Sequence, residues 1–226
     1  MSTPVPREFV GLARAFRNRV AAADARVAAV VPGIVGQLRA HAHGMRNGKL
    51  SKLDMQVALR AWQTGVTDSY MLDARLRTER RRFTVAELRA TCDRMTAGAA
   101  WNGAEQDAVA LSWHAIQLHD RLVDYLIRPV ATMTLHALAR RFERGDGRED
   151  SNVVQDLAPL AAYAAADKTA VAPPPTLPVT AEVRVSDGRW AGRWVVARDA
   201  ARRRDFRIFQ VQTFLDDEME YSNAHP

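Results

Sequence analysis

One cysteine, three lysines and no uninterrupted apolar run of membrane-spanning length set the first limits on this 226-residue chain. With Cys92 alone there is no internal disulfide framework, so packing must hold the fold and a reducing compartment is expected. No window supplies the roughly 18 consecutive apolar residues of a transmembrane helix. The N-terminus also lacks the compact apolar stretch of a secretory signal. The expectation is therefore cytoplasmic or virion-interior residence with no membrane partner. A G-x-S-x-G elbow, a dinucleotide-binding glycine fingerprint and zinc-type Cys/His spacing are missing too. Residues 44–49 fall short of a phosphate loop, because the glycines are one position too close and Leu50 stands where Ser or Thr would bind magnesium. No cofactor and no metal site are expected.

What the chain does contain is apolar residues at 47%, ample for a core, and charged residues at 26%. The net charge of +6 is unevenly placed. Residues 1–100 hold 17 Lys and Arg against 8 Asp and Glu, whereas residues 101–226 hold 15 against 18. Arginine outnumbers lysine 29 to 3. A GC-rich genome produces the same bias, but guanidinium forks also suit phosphate and carboxylate partners.

Periodicity predicts a mainly α protein: an antiparallel helical bundle, a Pro-rich connector and a small C-terminal β-meander arm. Phe9, Leu12, Phe16, Val20, Ala23, Val27 and Val30 recur every three or four residues and predict a helix over 7–31. Pro32-Gly33 is expected to break it before a short helix over 34–41. Ser51 with Asp54, Thr84 with Glu87 and Asn102 with Glu105 resemble capping boxes. They place helix starts near 51, 84 and 103, with a further helix over 68–82. Residues 103–127 are apolar around most of a helical circumference and predict a buried central helix. Pro129 suits the first turn of the next helix, and Ser151 the cap of a last, Ala-rich one.

The expected domains are a bundle over 1–166, a Pro-rich linker over 167–178 and a β-rich arm with an acidic tail over 179–226. In the arm, Val179, Ala181, Val183 and Val185 alternate with polar residues. Asp187-Gly188 is a strong hairpin signal. A two-residue loop there would set Val185 opposite Trp190, Ala181 opposite Trp194 and Glu182 opposite Arg193. A third strand is expected over 206–214.

Several groups carry candidate chemistry. Residues 61–77 resemble the helix-turn-helix of Cro-type repressors, with Ala61, Gly65, Val66, Met71 and Ala74 at its small and apolar positions. On that resemblance Asp68, Ser69, Tyr70 and Asp73 would approach base edges, while Arg75 and Arg77 approach phosphates. An ordinary helical corner fits the same residues. The dense run Arg75, Arg77, Arg80, Arg81 and Arg82, joined by Arg14 and Arg17, is a candidate phosphate-backbone surface or else a solvated face. His119-Asp120 resembles the ligand pair of HD phosphohydrolases, with His41, His43 or His114 and Asp124 or Asp146 as nominees for completing a metal site. Cys92, between Leu88 and Met95, reads as core. Trp190, Trp194, Phe206 and Phe209 read as an apolar face docked on protein, or as a stacking platform for single-stranded nucleic acid.

The functional expectation is a non-enzymatic structural protein of a larger assembly that associates with nucleic acid through an Arg-rich helical face, of nucleoprotein, coat or genome-packaging type. Its expected partners are the phosphate backbone of RNA or DNA and either copies of itself in a homo-oligomer or neighbouring assembly subunits. The alternatives are a protein-only assembly or adaptor subunit and a helix-turn-helix regulator.

Overall fold

The computed structural model describes residues 4–44, 57, 60, 64–65, 68–80, 86–98, 108–119, 122–166, 180–199 and 204–216. The fold is mixed α/β, not a helical bundle. In chain order its elements are α1 (Arg7–Gly44), β1 (Met71–Arg80), β2 (Ala86–Gly98), β3 (Ala108–His119), β4 (Leu122–Thr134), α2 (Leu135–Arg144), α3 (Asp150–Ala166), β5 (Thr180–Val185), β6 (Gly188–Asp199) and β7 (Arg204–Leu215). The seven strands form one sheet in the order β1-β2-β3-β4-β7-β6-β5. Pairing is antiparallel for β1–β2, β5–β6 and β6–β7, and parallel for β4–β7.

The predicted helix over 68–82 is a turn followed by β1, so the second helix of the helix-turn-helix is not formed. The predicted helix from Thr84 is β2, and the predicted central helix is the pair β3 and β4. The physical reason is visible in β3, where Val109, Ala110, Leu111 and Ser112 are buried in succession. A strand covered on both faces reads as a continuous apolar run, which periodicity cannot separate from a buried helix. The capping-box match at Thr84 with Glu87 added false weight to the helical reading of that segment. Pro129 lies inside β4, and helix α2 begins six residues later. There Thr134 accepts a hydrogen bond from the Ala137 amide at 3.1 Å, capping the first turn.

Helix α1 runs through Pro32-Gly33 without a break. Pro32 and Gly33 are exposed, so water can serve the carbonyl that loses its donor, while Val31, Ile34, Val35 and Leu38 carry the buried row past the proline. By length and composition alone, residues 7–40 would pass as a membrane span. Their buried row, beginning at Phe9 and Ala13, is the packing of a helix laid on protein.

The β5–β6 hairpin forms where alternation places it, but its loop is Ser186-Asp187. Val183 therefore pairs with Trp190, Ala181 with Gly192 and Val185 with Gly188. The slip by two keeps each side chain on its expected face. A Cβ at Gly188 would strike the Leu215 carbonyl, so the tight approach of β7 puts glycine at the start of β6. These strands are part of the large sheet and not a separate arm. The Pro-rich connector lies outside the described residues.

The chain forms two compact units: Met1–Ala21 with Thr96–Leu111 and Pro129–Pro226, and Ala22–Met95 with Ser112–Arg128. In the first, α2 packs on β7 and α3 on β5. Phe16 meets Phe142 edge-on with centroids 6.0 Å apart, and Trp190 meets Phe214 at 4.9 Å. Beneath these rings lies the buried guanidinium of Arg141. Its Nε donates to Asp156, Nη1 donates to the Gly147 carbonyl at 3.3 Å and Nη2 lies 3.4 Å from Asp187. The Trp190 indole donates to the Asp156 carbonyl at 3.1 Å, and Asp187 also accepts from the Asp146 amide at 2.5 Å. In the second unit, Ala23, Val27, Val31, Ile34 and Leu38 of α1, with Cys92, Met95, Ala115, Ile116 and Val123 of the strands, make up most of the apolar core.

Truncating one member of a buried, hydrogen-bonded ion pair strands the other charge, at a cost of roughly 3–5 kcal/mol. Asp156→Ala is expected to lower stability by about that amount in denaturant unfolding followed by circular dichroism. The double replacement Arg141→Met with Asp156→Leu is expected to recover most of it.

Candidate functional site

The arginines proposed to contact phosphate fall in different settings. On α1, Arg14 is exposed and Arg17 is half-buried, with its Nη1 3.5 Å from the Asn18 side-chain oxygen. Arg7 is exposed one helical repeat before Arg14. Arg148, exposed in the loop between α2 and α3, lies with its guanidinium 5.0 Å from the Phe9 ring centroid. Arg19 is engaged by Asp150 through contacts of 2.5 and 2.8 Å. Arg75, Arg77 and Arg80 sit on β1 opposite Thr91, Arg89 and Ala86. They belong to a strand and not to the helix that would have gathered them on one face. Arg81 and Arg82 lie outside the described residues.

Trp190, Trp194 and Phe209 are buried within the chain's own first unit. Trp194 donates its indole N–H to the Tyr163 hydroxyl at 3.2 Å, and both rings pack on Phe209. Their faces are occupied by protein, so they do not form a stacking platform. Phe206 lies on β7, paired with Ala197.

The second unit holds a group of polar side chains where apolar ones would be expected. Arg94 on β2 is fully buried, and its Nη2 donates to Asp68 at 2.9 Å. The other Asp68 oxygen accepts from the Tyr70 amide at 2.9 Å, an Asx-type turn that starts β1. Asp68 thus anchors a guanidinium at the position where the helix-turn-helix resemblance placed a base-reading side chain. His114 on β3 is 1% exposed, and its Nδ1 lies 2.7 Å from the Tyr125 hydroxyl of β4. Its Nε2 is buried with no hydrogen-bond partner. Asp24 of α1 and Cys92 of β2 lie within electrostatic range of Arg94.

Burial governs how these groups ionise. It drives His114 down to about 3, helped by the Arg94 charge, so the imidazole is neutral. It pushes the Cys92 thiol up to about 12 against the pull of Arg94, which removes Cys92 as a nucleophile. Tyr125 is raised for the same reason and stays a phenol, and Asp24 is raised by burial with Arg94 opposing.

Sequence reasoning named His114 only as a spare metal ligand and missed Asp24, Arg94 and Tyr125. The available signal was spacing: Cys92 and Arg94, like Ser112 and His114, stand two apart, which is one face of a strand. Among the described residues no group of three His, Cys, Asp or Glu side chains could hold a metal ion. His119 ends β3, and Asp120 lies outside the described residues.

No family model, curated protein or solved structure matches this chain. Function must therefore be argued from its own residues.

The depressed His114 predicts a pH dependence. A histidine with folded value near 3 and ordinary value 6.5 contributes its full stability above about 6.5 and loses it as pH falls toward 3. Asp24 acts oppositely, since a raised carboxylate favours the fold as pH falls through its folded value. Unfolding free energies from pH 7 to 3.5 are expected to fall less steeply in His114→Gln than in the unmodified protein.

Proposed function

We propose that this chain is a non-enzymatic structural protein that associates with the phosphate backbone of nucleic acid without reading sequence. The observation that carries the reading is the exposed arginine set Arg7, Arg14 and Arg148 in the first unit, with half-buried Arg17 beside it. Arginine serves this role well, because its fork holds phosphate oxygens in pairs and its charge does not titrate. Nothing in such contacts requires a base edge, so affinity depends on the number of phosphates neutralised.

A protein-only assembly subunit is the competing reading. It is favoured by Leu122 and Ile127 on β4, which leave 66% and 52% of their surface in solvent. On that account the arginines pair with acidic residues of a neighbour.

Salt separates the two. Polarisation of a labelled mixed-sequence oligonucleotide is expected to show an affinity that falls log-linearly with salt. Replacing Arg7, Arg14 and Arg148 together by Gln is expected to flatten that slope by about 2–3. Absence of binding at low salt, together with an oligomer that ignores nuclease and salt in size-exclusion chromatography, would overturn the proposal in favour of the protein-only subunit.

A further inference from the structure

In the first unit the sheet ends on β5, a strand of six residues that pairs with β6 and with no other strand among the described residues. An edge strand presents a row of unpaired amides and carbonyls. Natural edges are commonly blunted by a proline, a bulge or charges that repel another strand. Strand β5 contains no proline, and it pairs with β6 from Thr180 to Val185 without a register shift. Val183 is buried on the face it shares with Trp190, whose indole reaches α3. Thr180, Glu182 and Arg184, which alternate with it, are exposed.

The hairpin decides which backbone groups face outward. A two-residue loop closes on a hydrogen-bonded pair, here Val185 with Gly188. Val183 and Ala181 therefore also turn their amides and carbonyls toward β6. Those of Thr180, Glu182 and Arg184 point away from it, and none bonds another backbone group among the described residues. A new antiparallel strand would bond to these three residues.

Side chains select the register. When a second β5 approaches about a twofold axis through Val183, Glu182 falls opposite the second copy's Arg184, and the reverse pair forms by symmetry. Val183 then meets Val183, and Ala181 meets Val185. Opposite charges pair on the exposed face and apolar side chains on the covered one. Moving the axis one residue either way sets Glu182 against Glu182 or Arg184 against Arg184. The hairpin itself also leaves a charge for this pairing to satisfy. Arg184 stands directly opposite Arg189 of β6, and Glu182 is already engaged by Arg189 at 3.3 Å. Arg184 has no acidic partner among the described residues. The second copy's Glu182 supplies one.

We propose that two copies of this chain associate through their β5 edges, as an antiparallel pair centred on Val183. The order β7-β6-β5 of one copy then continues into β5-β6-β7 of the other. This association needs no nucleic acid, so it goes beyond the phosphate-binding reading and does not depend on it.

The test is sedimentation velocity on the nuclease-treated full chain over a range of protein concentrations, which is expected to show a monomer–dimer equilibrium. Glu182→Arg and Arg184→Glu each place like charges at the seam. Each should weaken the dimer about tenfold or more with unchanged circular dichroism. Mixing the two variants restores opposite charges in the heterodimer, and combining both changes in one chain restores them in the homodimer. Both samples should recover the dimer. Should a reversal disturb the fold, Glu182→Pro tests the backbone bonds alone, because an edge strand tolerates the loss of an outward amide. It too should dissociate the dimer. An unmodified chain that stays monomeric at its highest soluble concentration would overturn the proposal. So would a dimer that none of these changes weakens, or a mixture of the two reversed chains that stays monomeric. Oligonucleotide polarisation is a separate readout, so either reading can fail while the other stands.

Discussion

The first unit depends on one buried guanidinium. Arg141 sits on α2, and its bonds reach α3 through Asp156, the intervening loop through Gly147 and the β5–β6 turn through Asp187. Its flat face lies 5.4 Å from the Phe214 ring of β7. A lysine in its place would supply charge without the fork that addresses separate acceptors. The desolvation cost of such a group is recovered only when its geometry is complete, which makes it a device for specifying one arrangement of five segments. Gly145 belongs to the same constraint, because any Cβ there would occupy the space of the Arg141 guanidinium. The aromatic packing above it, Trp190 on Phe214 and Trp194 on Phe209, then has fixed partners.

The second unit uses buried polarity differently. In the first unit the buried Arg141 guanidinium meets Asp156 and Asp187, and Asp156 is raised by burial while the Arg141 bond pulls the other way. In the second, Arg94 donates to Asp68, and the buried Nε2 of His114 has no hydrogen-bond partner.

Legibility in the sequence followed solvent exposure. The first helix was readable because one side of α1 faces water and the other the core, giving Phe9, Phe16, Val20 and Val27 their helical spacing. The hairpin was readable because Val183 is buried while its neighbours Glu182 and Arg184 are exposed. Strands β2 to β4 were not. Their alternation is lost where both faces are covered, and helix-forming residues such as Leu, Ala, Arg and Glu fill β1 and the start of β2. Local propensity there favours helix, and sheet pairing outweighs it. The hairpin register slipped for a smaller reason: the turn closes one residue earlier, because β7 crowds Gly188.

By itself the sequence determined the arginine-rich charge of the N-terminal half, the reliance on packing in place of disulfides, the course of α1 up to Pro32, and the positions of β5 to β7. Each is a local or compositional property, set by residue chemistry and near-neighbour periodicity. The tertiary structure alone decided that the middle of the chain is sheet. It also decided that Arg141 and Asp156 meet, that Asp68 holds Arg94, and that His114 faces Tyr125. These pairings join residues up to 26 positions apart, and no local pattern encodes which of many polar side chains will share one buried space.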